Sequence, residues 1–140
     1  MPRWVEKPSF YSVFETLDRL EHILIDRGFA MMARVDHSGH AAKVGMDLRP
    51  TQVLLFGKPS LGTQLMQAEQ TIAIDLPSKV LAWQDSRGQV WVGYRDLRTI
   101  AAEYGGLDEA RAAVEELANN IDQATDAAVA HHTELSADDR

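Results

Sequence analysis

The side chains best suited to chemistry in this 140-residue chain gather between residues 37 and 77. His37 and His40 form an H-x-x-H pair. On a turn of helix, residues three apart share a face and can share a metal ion held by imidazole nitrogens. Two ligands do not complete a site, so a third would come from Asp36, Asp75 or a second subunit. The plainer alternative makes His37 a strand-end histidine bonded to backbone and leaves His40 hydrated. Asp75 offers another chemistry, because a carboxylate placed beside His37 makes an acid–base pair. Arg49 and Asp75 are the charged members of this stretch, and each lies near a proline. They suit an ion pair between two loops, or contacts to a charged ligand.

Residues 57–63 read G-K-P-S-L-G-T, a glycine-containing loop entering a helix. Free amides at a helix start bind anions, and Lys58 and Thr63 could assist. The spacing is not that of a nucleotide phosphate loop. A tight turn at 59–62 followed by a Thr63 cap is the simpler reading. Ser38 and Ser60 have no nucleophile-elbow context. There is no cysteine, which removes thiol nucleophiles, disulfides, iron–sulfur clusters and cysteine-ligated zinc. The motifs specify no cofactor, and whether the chain is an enzyme stays open.

Charge is distributed unevenly. Residues 1–106 hold twelve acids and twelve bases, whereas 107–140 hold nine acids against Arg111 and Arg140, so the net −7 resides in the tail. Neither part offers the basic surface that a phosphate backbone requires, so nucleic acid is not an expected partner. No secretory signal is visible at the N-terminus and no apolar run approaches a membrane span. A cytoplasmic location and no membrane partner are the expectation.

The elements that would position these residues follow from periodicity. Ser12 and Glu15 match a capping box, and Phe14, Leu17, Leu20 and Leu24 continue at helical spacing until Gly28. Strands are expected at 4–7, 29–35, 51–56, 77–83 and 89–94, with a hairpin turn at 85–88. Residues 37–46 read as loop or short helix, 97–104 as a short helix and 107–130 as a longer one. The fold class is therefore α+β: strand, helix, four strands, helix, with an antiparallel sheet packed on helices and a C-terminal helical extension. Residues 1–106 form the expected single domain, and 107–140 the acidic extension.

Both faces of the sheet look apolar. Val53 and Leu55 oppose Leu54 and Phe56, and Trp91 opposes Val90, Val92 and Tyr94. Helices before residue 107 can cover only one face, so a ligand, a subunit or the tail must cover the other. In the tail, Leu107, Ala110, Val114, Leu117, Ile121, Ala124 and Ala128 form a stripe. Its small residues suit docking on protein better than a coiled coil.

The ordered matches His37, Ala41, Gly45, Leu48-Arg49-Pro50-Thr51, Phe56-Gly57, Pro59, Gly62-Thr63, Leu65-Met66 and Asp75-Leu76-Pro77 resemble one family. It is the prokaryotic domain-of-unknown-function family number 302. Trp83, Gly88 and Tyr94 continue the match, which spans roughly 12–104 and leaves the acidic C-terminal helix outside it. The resemblance implies a fold like half of the TATA-box-binding protein and implies no established activity.

Three functions fit these observations. The first is a small-molecule-binding or regulatory module with a pocket lined by residues 37–45 and 57–66. The second is an enzyme using His37 and Asp75, or a metal at His37 and His40. The third is a structural dimerisation domain. A ligand would be expected near His37, Arg49, Thr63 or Asp75, and the two-faced sheet leads us to expect a homodimer.

Overall fold

The structure is a computed structural model describing residues 2–131. The remainder of the expected extension lies outside the described residues. Five strands, β1 (Trp4–Ser9), β2 (Ala30–Asp36), β3 (Thr51–Gly57), β4 (Ser78–Gln84) and β5 (Val90–Arg95), form one antiparallel sheet. Their order across it is β1-β5-β4-β3-β2. Helices α1 (Val13–Asp26), α2 (His37–Lys43), α3 (Pro59–Ala68), α4 (Leu97–Ala101) and α5 (Arg111–Val129) connect and follow the strands. The α+β order expected from the sequence is the order found.

Local chemistry sets the helix ends. The Ser12 hydroxyl accepts the Glu15 amide at 3.1 Å and opens α1, and Gly28, at φ +87°, takes the left-handed conformation that follows its end. The buried stripe of α1 begins at Val13, four residues before Leu17. Phe14 instead faces outward, and the Arg34 guanidinium sits over its ring at 4.9 Å. Asp36 caps α2, accepting from the Gly39 amide at 3.0 Å and the Ser38 hydroxyl at 2.7 Å. Thr63 caps nothing, contrary to expectation. The helix starts one turn earlier because Pro59 occupies its first position, where a fixed φ and a missing N–H carry no cost.

One sheet face carries the core. Leu54, Phe56, Val80, Ala82, Val92 and Tyr94 are buried there against Leu17, Leu20 and Leu24 of α1. The tail joins this same face. All seven residues of its stripe, Leu107 through Ala128, are buried. Lys7 fastens α5 to β1, donating to Thr125 Oγ1 at 2.7 Å and the Asp122 carbonyl at 3.0 Å and pairing with Asp126 at 2.8 Å. The Tyr94 hydroxyl donates to Asp122 at 2.7 Å. Burial first, and that carboxylate second, push the phenol far above the ordinary tyrosine value. Arg19 donates to the carbonyls of Ala127 and Ala128, which an α-helix end leaves without internal partners.

The helices that build the core leave the second face without a helical layer of its own, and Trp4 is the most exposed of its tryptophans. All three tryptophans of the chain, Trp4, Trp83 and Trp91, stand on it with Val53, Leu55 and Leu81. Trp4 and Trp83 meet above Gly93 with ring centroids 6.1 Å apart. A Cβ at residue 93 would fall 2.2 Å from Trp4 Cζ2, so only glycine lets the rings lie so close to the sheet. At the edges, β1 carries Pro8, and the β2 ladder shifts register between Met31 and Ala33.

Two outcomes follow. Leu117 is 2% exposed at the centre of the α5 stripe, so Leu117→Ala should lower unfolding stability by about 2–5 kcal/mol, measured by urea denaturation of the full chain. In the β4–β5 turn, Asp85 accepts the Trp91 indole N–H at 2.9 Å and the amides of Arg87 and Gln89. The indole bond, foremost, holds its carboxyl below the ordinary value of 3.8. A lowered native pKa makes this contribution to stability complete above that value and lost as pH falls through the native one. The Trp91 indole proton resonance should therefore move on acidification below about pH 4. It should not move with pH in Asp85→Asn.

Candidate functional site

Two hollows open at the end of the sheet where β3 finishes and β4 begins. The first is an apolar groove of about 360 Å³ beside α3. Leu61 and Leu65 turn into the core. This leaves Pro59, Gly62, Thr63 and Met66 along the groove, facing Leu76 and Pro77 across it. Gly57 and Met32 close it from the sheet side. Lys58 also lies at the rim, but its ammonium donates to the Arg27 carbonyl at 3.2 Å and sits over the Phe29 ring. The groove can take an apolar body and offers the Thr63 hydroxyl as a polar contact.

The second hollow, also about 360 Å³, lies between the central strands. The β4–β5 ladder ends at Leu81 and Gly93. The outer ladders run further, to Trp4↔Arg95 and Phe56↔Ser78. The strands part beyond Leu81, and the gap reaches from the open face to Leu97, Ile100 and Ile121 in the helical layer. Asp75 borders this gap. Its carboxylate accepts the Tyr104 hydroxyl, and that bond pushes the phenol up to about 12.

The residues singled out in the sequence divide between the two ends of the sheet. Thr63 lines the groove and Asp75 the gap. His37 and Arg49 lie beyond the start of β3, roughly 20 Å away along a seven-residue strand, and they line neither hollow. Arg49 donates to the Gln84 carbonyl at 3.2 Å rather than pairing with Asp75. His37 and Asp75 do not meet, so the acid–base pair is not assembled. His37 and His40 are exposed on α2. Among the described residues no group of three or more His, Cys, Asp or Glu side chains could hold a metal ion. Of the expected pocket, the 57–66 half is present and the 37–45 half is not. Met32, Trp4, Lys79 and Arg95 escape local reading because only strand register brings them to the hollows.

Among the described residues no helix is long and apolar enough to cross a membrane. The chain is 40% identical over 96 residues to a protein of Brucella suis biovar 1 named fluoride-specific ion channel FluC 1, a match over 69% of this chain and 38% of that protein. The counterpart in Brucella abortus biovar 1 matches equally well over 36% of its length. This chain therefore spans well under half of those relatives. Among solved structures, the uncharacterized conserved protein DUF302 from Bacillus stearothermophilus has the same fold, with a TM-score of 0.71 and 19% identity. The superposition covers 90% of this chain and 94% of that one. A family profile described as domain of unknown function DUF302 matches residues 5–128. The match takes in nearly all of α5, which lies outside the stretch of ordered motif matches in the sequence. On the breadth of that match, the chain belongs to the DUF302 family.

Proposed function

We propose that this chain is a cytoplasmic small-molecule-binding module with regulatory purpose, and that the groove beside α3 is its ligand site. The observation that carries this reading is Gly62. It lies inside α3, where glycine costs about 1 kcal/mol relative to alanine. No packing demands it, since a Cβ there would touch only Leu76 Cδ1, at an ordinary 3.9 Å. A glycine that weakens its helix without serving the fold fits a groove kept open for close approach of a ligand. Around it stand Gly57, Pro59, Thr63, Met66, Leu76 and Pro77, all from the motif block. The lining selects a compact, largely apolar molecule with one polar atom for Thr63. The relatives named as fluoride-specific ion channels carry the matching segment as little more than a third of their length. That arrangement suits a unit which senses a ligand for a larger protein.

The bare sheet face supports assembly as well. We propose a homodimer in which a second copy covers the tryptophan-bearing face, since contiguous exposed apolar surface marks an interface. Trp4 alone is 44% exposed. Light scattering should give twice the 15.6 kDa chain mass at micromolar concentration, and Trp4→Glu should shift it toward one chain. A monomeric mass for the unaltered chain would remove the dimer.

For the ligand site, Gly62→Ala should raise stability by about 0.5–1 kcal/mol. Gly62→Leu should fill the groove. In a methyl-labelled sample, cyclohexanol and indole should move the Met32 and Met66 resonances of the parent chain but not of Gly62→Leu. Equal responses in both, or none in the parent, would overturn the groove as the site.

A further inference from the structure

We propose that the gap between β4 and β5 is a second binding site, built for a small amphiphilic carboxylate. The two strands separate where an uninterrupted ladder would place Lys79 opposite Arg95, two residues beyond Leu81 and Gly93 on the same face. Like charges facing each other across adjacent strands are destabilising. Neither side chain has a hydrogen bond or ion pair among the described residues. Some other cations of the chain, Arg3, Lys7, Arg34 and Arg98, do have carboxylate partners. Two unpaired cations at the mouth of a hollow leave room for an anion between them.

The depth of the hollow defines the rest of the ligand. Trp4 forms one wall, and the floor is Ile100 and Ile121, reached through the parted strands from the face that the proposed dimer covers, so ligand and second copy compete for it. An apolar body would lie on this floor while its carboxylate stays at Lys79 and Arg95. Asp75 on the same lining limits the charge. Its carboxylate is engaged by Tyr104 but still disfavours a doubly charged group, so a monovalent carboxylate fits and a phosphate dianion does not.

Octanoate is a suitable probe, with octanamide as its uncharged counterpart and inorganic phosphate as the dianion. Binding to the full chain would be followed by calorimetry and by tryptophan fluorescence, since Trp4 borders the site. Octanoate should bind saturably, octanamide at least about tenfold more weakly, and phosphate without saturation. The double variant Lys79→Gln, Arg95→Gln should lose at least about tenfold in octanoate affinity while keeping its affinity for octanamide. Both residues are solvent-exposed, so the core is undisturbed. Ligand-free, Lys79→Gln alone should raise Tm by relieving the repulsion. Gly62→Leu should leave octanoate binding intact, which separates this site from the groove. The proposal is overturned by absent saturation, by equal affinity for octanoate and octanamide, or by unchanged affinity in the double variant. Loss of octanoate binding in Gly62→Leu, or a lower Tm in Lys79→Gln, would overturn it as well.

Discussion

The docking of α5 on β1 and β5 is the contact on which the rest of the molecule depends. A helix whose inner stripe mixes alanines with Val114, Leu117 and Ile121 gains only part of its hold from area alone. Its seat is defined by the buried hydroxyl of Thr125, the Lys7 ammonium and the Tyr94 phenol, which find one another at hydrogen-bond distance. Because the phenol is held far above its usual ionisation range, Tyr94 keeps its donated bond to Asp122 where an ordinary tyrosine would begin to ionise. Small residues bring α5 close enough to the sheet for these bonds, and the bonds fix which side of the sheet it occupies.

That choice of side determines where ligands and partners can approach. With α1, α3 and α5 on one face, the molecule is a two-layer sandwich with one bare surface. The helical layer supplies the floor of the gap through Ile121 and touches the groove through Leu117, so α5 contributes to both hollows from behind. The segment Asp75-Leu76-Pro77-Ser78 runs between them, with Asp75 on the gap, Leu76 and Pro77 on the groove, and Ser78 on both. A short stretch of chain thus forms a shared wall.

Much of the fold is legible in the sequence because each strand carries its own signal. Thr51 through Phe56 is bounded by proline and glycine, and Asp85 through Gly88 is rich in turn formers. The α5 stripe is equally readable, since three-and-four spacing needs no knowledge of a partner. Which face α5 would choose is not readable, because Lys7 and Thr125 are 118 residues apart and nothing local links them. The site was half legible for a similar reason. Residues 57–66 are contiguous and fold into one wall, whereas His37 stands apart because the whole length of β3 intervenes between it and the groove. Lys79 and Arg95 carry no motif. Their shared place on the gap depends on a ladder that stops early, a property of two strands together.

The sheet margins have a consequence for how this protein behaves at high concentration. An antiparallel sheet with free outer strands tends to recruit further strands from neighbouring molecules and grow into fibres. Here Pro8 removes an amide from the β1 margin, and the register shift at Met31–Ala33 disrupts the regular ladder of β2 at the other. Lateral growth is disfavoured on both sides. A chain with so much aromatic surface on its bare face is thereby steered away from open-ended fibrils and toward closed assemblies of defined size.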